Sequence, residues 1–295
     1  MKNPVGIYYA YWERDWDADF IPYIEKVARL GFDALEINAG TVAEMPDYKL
    51  KELSAAALAN NIKLTYCIGL PQQYDLASPD SAVRQNGTAY MKKILNHMYQ
   101  AGGDTLGGII YGSWPMKGIP DMAEKERMRQ RAAECLKEIL KAAEQYDINC
   151  CFEIVNRFEH CLLNTASEGV AFAKELDSPK ARLLLDTFHM NIEEDSFREA
   201  ILTAGDLLGH FHMGECNRKT PGTGRIPWSD IFAALNEINY TGAVVMEPFV
   251  KPGGQVGSDI RVFRDLSQDS GESQLDQAAG KAAEFVKNGL LHAAL

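Results

Sequence analysis

Four side chains stand out because each closes an apolar run with a group able to bind a cation or move a proton. Glu153 follows Cys150-Cys151-Phe152, Asp186 follows Leu183-Leu184-Leu185, His212 follows His210-Phe211, and Glu247 follows Val244-Val245-Met246. A carboxylate is costly to bury unless it is paired or bound to a metal. The intervals between the four, 33, 26 and 35 positions, straddle the repeat of about 31 residues in a (β/α)8 barrel. One such residue per repeat would bring all four to one mouth. Three carboxylates and one imidazole there make a cup suited to Mn2+, Co2+ or Mg2+ rather than to structural zinc, which prefers cysteine and histidine. Singly, each has a plainer explanation. Glu153 could be a buried acid paired with Arg157, Glu247 a strand-end charge, and His210 and His212 core imidazoles bonded to carbonyls. Four such coincidences at barrel spacing are the weaker account.

The elements that must position them alternate along the chain. Short β-branched or aromatic runs occur at 5–10, 32–38, 62–68, 106–111, 148–155, 181–186, 207–213 and 243–247, with helical patterns between them. Phe20, Ile24, Val27, Ala28 and Leu30 line one helix face that Gly31 ends; Asn164 or Thr165 caps another helix; Pro227 suits the first turn of a third. Eight strand–helix units predict a closed parallel barrel as one domain over residues 1–295. A doubly wound open sheet is disfavoured, since no GxGxxG follows the first strand. Residues 251–280 read as a long Gly-, Ser- and Asp-rich loop leaving the eighth strand, on the face where it could cover the site.

Within the seventh strand His210 and His212 share a face, so both should point into the barrel. A second polar set follows the strand ends: Asn156, Arg157, Phe158 and Glu159 after Glu153; His189 after Asp186; Glu215, Asn217 and Arg218 after His212. Carboxylates, imidazoles and a guanidinium together suit a neutral, polyhydroxylated ligand, and Tyr8, Trp12 and Trp114 could pack on its carbon side. Glu193, Glu194 and Lys219 read instead as solvated loop charges. Pro221-Gly222-Thr223-Gly224 lacks the Lys-Ser/Thr of a phosphate loop, and no nucleophile elbow is present.

A net charge of −11 speaks against a nucleic-acid or anionic-membrane partner. No stretch of 18 apolar residues occurs, and the six cysteines form no CxxC pair, so free thiols and a cytoplasmic location are expected.

On these residues the chain resembles the ketose 3-epimerases, the D-tagatose 3-epimerase and D-psicose 3-epimerase family. The likeness rests on Glu153-Ile154-Val155-Asn156-Arg157-Phe158-Glu159, Asp186-Thr187-Phe188-His189-Met190-Asn191, Gly209-His210-Phe211-His212-Met213-Gly214-Glu215 and Met246-Glu247-Pro248-Phe249, and covers nearly the whole chain. It implies a TIM barrel of the xylose-isomerase-like type that forms a homodimer or homotetramer and acts on a small-molecule ketose. Carried over residue by residue, it implies one divalent ion per subunit, Mn2+ or Co2+ with Mg2+ possible, on Glu153, Asp186, His212 and Glu247. Glu153 and Glu247 would exchange the proton at carbon 3, with Glu159, His189 and Arg218 gripping the oxygens on carbons 1 and 2. The third-strand loop, Gly69-Leu70-Pro71-Gln72-Gln73-Tyr74-Asp75, looks more like tagatose-type members. A 1,2-aldose–ketose isomerase or sugar dehydratase could use a similar cup. A metal-dependent nucleic-acid phosphodiesterase would need more histidines than the six present and a basic face.

Overall fold

The computed structural model describes residues 3–293; Met1, Lys2, Ala294 and Leu295 of the expected 1–295 span lie outside the described residues. Each strand is separated from the next by helix, so neighbouring strands run parallel. Among the described residues eight strands close in sequence order: β1 (Val5–Tyr8), β2 (Ala34–Asn38), β3 (Lys63–Cys67), β4 (Thr105–Gly108), β5 (Asn149–Ile154), β6 (Ala181–Asp186), β7 (Leu208–Met213) and β8 (Val244–Met246). Val5, Gly6 and Ile7 of β1 pair with Val244, Val245 and Met246 of β8, which completes the barrel.

All eight expected strands form, each within its expected run or a residue from it. β1 stops at Tyr8 because the chain turns into a 3-10 segment, Tyr9–Tyr11. β4 is shorter than its apolar run because Gly108 has φ of +110°, outside the extended region, and its absent side chain leaves room for the Ile68 backbone. Gly31, at φ +85°, ends the helix Ile21–Arg29 as expected, and Thr165 with Glu168 builds a capping box on Ala166–Leu176. Pro227 sits just ahead of the helix Trp228–Glu237 rather than inside it.

Residues 251–280 are not one loop. A helical turn, Gly254–Asp259, lies within them, and the helix Glu272–His292 begins eight residues before the loop was expected to end. That helix is held by burial of Leu275, Ala279, Ala282, Ala283 and Val286, an apolar stripe at helical spacing.

Register sets the layers of the barrel interior. Asp186 is opposite His212, and Leu184 opposite His210, across the β6–β7 pair. A Cβ on Gly107 would lie 2.5 Å from Leu184 Cδ1, so glycine on β4 is what admits that leucine to the barrel axis. Glu247 follows β8 directly, and its N–H still donates to the Met213 carbonyl at 3.0 Å. Its side chain is therefore held by the sheet rather than by a free loop.

Candidate active site

One ligand atom from each of Glu153, Asp186, His212 and Glu247 lies within 4.8 Å of all the others, and all four residues are buried. His212 Nδ1 is 3.6 Å from Glu247 Oε1 and 4.0 Å from Glu153 Oε1, and it has no hydrogen-bond partner. Asp186 divides its oxygens: Oδ1 accepts from Phe188 N (2.8 Å) at the start of the helix Thr187–Glu193, while Oδ2 faces Arg218 Nη1 at 3.0 Å. An unpartnered buried imidazole nitrogen facing three carboxylates fits a divalent cation with oxygen and nitrogen ligands.

The electrostatics follow from crowding like charges in a dry site. Burial, with Glu153 and Asp186 nearby, pushes Glu247 up to about 8 against the pull of His212 and Arg218. Burial would also raise Asp186, but Arg218, His189 and His212 outweigh it and hold that carboxyl low. Burial would lower His212; Glu36 and Glu247 instead bring it to about 10. Glu36, Cys67 and His212 also lie close enough to share an ion. Burial and four carboxylates raise the Cys67 thiol well above its ordinary range, so it is a poor ligand there.

Around the cup the sequence-predicted residues separate into two groups. Tyr8, Trp114, Glu159, His189 and Arg218 line a cavity of about 500 Å³ together with Glu153 and Glu247. Arg218, at φ +64°, lays its guanidinium 3.8 Å from the Phe188 ring centroid and donates from Nη1 to Glu247 Oε2 at 2.7 Å. Glu159 Oε2 accepts from Trp114 Nε1 at 2.8 Å. His189 Nδ1 accepts from the backbone N–H of Asn156 (3.2 Å) and lies 2.8 Å from its side-chain nitrogen. A backbone N–H can only donate, so Nδ1 accepts there, while Nε2 lies 3.4 Å from Glu153 Oε1 and 3.5 Å from Arg218 Nη2.

The other candidates do structural work. Glu215 accepts from Gly222 N, Ile226 N and Trp228 Nε1, and so closes the loop that carries Arg218. Asn217 Oδ1 accepts from Lys219 N. Trp12 turns away from the cavity, with Nε1 donating to Asp276 Oδ1 at 2.8 Å. Arg157 pairs with Glu193, not with Glu153, and the Glu193 side chain is only 5% exposed. Glu194 Oε1 accepts from Ala166 N at 2.6 Å, so neither Glu193 nor Glu194 is a solvated charge.

Sequence reasoning missed Trp16, Phe249 and Glu36. Trp16 and Phe249 join Tyr8 and Trp114 in one aromatic wall, with neighbouring ring centroids 6.0 to 6.3 Å apart. Phe249 could have been found: it stands two residues beyond Glu247, beside the mouth. Trp16 Nε1 donates to Asp259 Oδ2 at 2.8 Å, and Gln255, Asp259 and Ile260 line the cavity, so residues 251–280 do contribute one wall. Among the described residues that line the cavity, Arg218 is the sole Lys or Arg, and it is committed to Asp186 and Glu247, so none of them offers a free cationic seat for a phosphate.

No helix among the described residues is long and apolar enough to cross a membrane. A family model described as "Xylose isomerase-like TIM barrel" matches residues 24–266. The chain is 48% identical to a D-psicose 3-epimerase of Ruminiclostridium cellulolyticum, covering 97% of each chain. It is 34% identical to an L-ribulose 3-epimerase of a Methylomonas species, covering 94% of each. A crystal structure of D-psicose 3-epimerase with D-tagatose from Clostridium cellulolyticum superposes with a TM-score of 0.95 at 47% identity, covering 97% of this chain and 99% of that one. Likeness of this extent in both sequence and fold makes the chain a member of the ketose 3-epimerases within the xylose isomerase-like TIM barrel family, and an isomerase.

Proposed function

We propose that the chain inverts carbon 3 of free ketoses, the D-fructose/D-psicose and D-tagatose/D-sorbose pairs, using one divalent cation held by Glu153, Asp186, His212 and Glu247. Mn2+ and Co2+ suit that ligand set, with Mg2+ a further candidate. The observation that carries the reading is the convergence of two carboxylates, from β5 and from the end of β8, on a buried cup at the floor of an aromatic-walled cavity. The relatives' names, psicose and ribulose epimerases, support the substrate class. The lack of a phosphate seat favours unphosphorylated sugars. The barrel acts as one domain over residues 1–295, in the cytoplasm, as a homodimer or homotetramer; these last readings rest on composition and resemblance.

The cation, when bound, supplies Lewis-acid stabilisation of the negative charge that develops on the oxygens beside carbon 3. Glu153 removes the carbon 3 proton on one face of the sugar, and Glu247 in its protonated form returns one on the other. The two carboxyls end with their protonation exchanged, which prepares them for the reverse reaction. Arg218 and the Nε2–H of His189 donate to oxygens on carbons 1 and 2, and Glu159 accepts from a hydroxyl. Tyr8, Trp16, Trp114 and Phe249 cover the remaining carbons and exclude water.

Protein stripped of metal and reloaded with Mn2+ or Co2+ is incubated with D-fructose or D-tagatose in deuterium oxide and followed by NMR and sugar chromatography. D-psicose or D-sorbose with deuterium at carbon 3 is the expected result. Aldose products with deuterium at carbon 1 would move the assignment to a 1,2-isomerase, and a metal-loaded protein that leaves both sugars unchanged would refute the reaction.

A further inference from the structure

Glu36 lies on β2 in the barrel interior, fully buried and far in sequence from the four cup residues. Its Oε2 is 2.6 Å from His210 Nε2, and its Oε1 is 2.7 Å from His212 Nε2. The two rings come from alternate positions of β7 and meet edge to face, with centroids 5.1 Å apart and planes at 75°. One buried carboxylate thus faces two buried imidazoles. The His210 contact is a hydrogen bond, whereas the His212 contact is a close ion-pair approach that does not meet hydrogen-bond geometry.

The proton positions follow from charge. A lone pair on His212 Nε2 would confront a carboxylate oxygen at 2.7 Å, so the proton belongs on Nε2. A cation entering the cup displaces any second ring proton, and with the remaining proton on Nε2 the ring offers its lone pair at Nδ1. That atom is buried without a partner and lies 3.6 Å from Glu247 Oε1. We infer that Glu36 is a positioning residue for the cation site: it fixes His212 in the tautomer whose Nδ1 lone pair faces Glu153, Asp186 and Glu247, and His210 braces Glu36 from the other side. A carboxylate behind a ligating histidine orients the ring and makes it a better donor, and its loss costs about 10–100-fold in metal affinity. The inference rests on the reading of the four-residue cup as a metal site.

The test is Mn2+ binding by titration calorimetry to wild type and Glu36→Gln, each first stripped with chelator. The amide cannot accept from both histidines, so the variant should bind Mn2+ about 10–100-fold more weakly. Part of its turnover should return at saturating Mn2+. Equal affinity within threefold, in a variant whose circular dichroism matches wild type, overturns the role of Glu36 while leaving the cup intact. Should Glu36→Gln not fold, wild-type protein labelled with [15N]histidine and loaded with diamagnetic Mg2+ decides the matter. Long-range 1H–15N correlation should show His212, identified by its loss in His212→Asn, with a single slowly exchanging proton on Nε2; a proton on Nδ1 overturns the inference. A wild type that binds none of Mn2+, Co2+ or Mg2+ overturns the metal reading itself and this role with it, a failure distinct from that of Glu36 alone.

Discussion

Replacing Glu247 by Gln should strengthen the metal-stripped fold while removing the activity. The carboxyl is 6% exposed and is pushed to about 8, against the ordinary 4.5 it regains on unfolding. Below about pH 4.5 both states hold the proton and there is no difference. Between 4.5 and 8 the unfolded chain gives it up and the folded chain does not, so stability falls as pH rises. Near pH 7 that cost is on the order of 3 kcal/mol, shrinking to about 1 kcal/mol near pH 5. Gln keeps an oxygen to accept from Arg218 Nη1, now 2.7 Å from the carboxylate, and carries no charge to bury. Urea unfolding of metal-stripped wild type and variant should therefore show the variant more stable by a few kcal/mol near pH 7, with the gap narrowing in acid. Turnover of D-fructose by the metal-loaded variant should fall by roughly 10²–10⁴-fold, the range for a lost proton-transfer group. A variant less stable than wild type near pH 7, or one that retains a tenth of the turnover, would refute the reasoning.

Glu153→Gln should lose turnover by at least about 10²-fold while still binding Mn2+, and substantial residual activity would remove Glu153 from the proton-transfer pair. Asn156→Leu takes away the side-chain donor 2.8 Å from His189 Nδ1, and losing about 1 kcal/mol of hydrogen bonding should raise KM for the ketose roughly fivefold; steady-state kinetics with an unchanged KM would count against it. Burial, with Lys125 adding to it, pushes His160 down to about 4, so the unfolded chain takes up a proton that the folded chain refuses. Stability from this residue is complete above about pH 6.5 and falls as pH drops towards 4, by about 2 kcal/mol at pH 5. His160→Gln should flatten that slope in urea titrations at several pH values, and an unaltered slope would show that His160 does not cause it.

The cup was legible because each of its members closes an apolar strand, where a charge has no local excuse for burial. Barrel periodicity then put those strand ends at one mouth, and the register across β6 and β7 sets Asp186 directly opposite His212. The place of Glu159, His189 and Arg218 in the cavity wall was legible for a related reason, since the loops that leave those strands surround the mouth of a barrel.

The amino-acid sequence by itself determined the barrel, the strand ends and the chemical character of the mouth, because hydrophobic periodicity and the cost of burying charge act along a single strand. Only the tertiary structure decided which of two tryptophans faces the cavity. Trp12 and Trp16 are four residues apart in a non-helical stretch, and their partners, Asp276 and Asp259, come from the far end of the chain. It likewise decided that Glu193 turns inward to meet Arg157, and that a carboxylate in the middle of β2 stands behind a histidine of β7, 174 residues away from His210 in sequence. Such pairings depend on closure of the sheet, which brings β2 and β7 to the same axis, and no local pattern in either strand encodes the other.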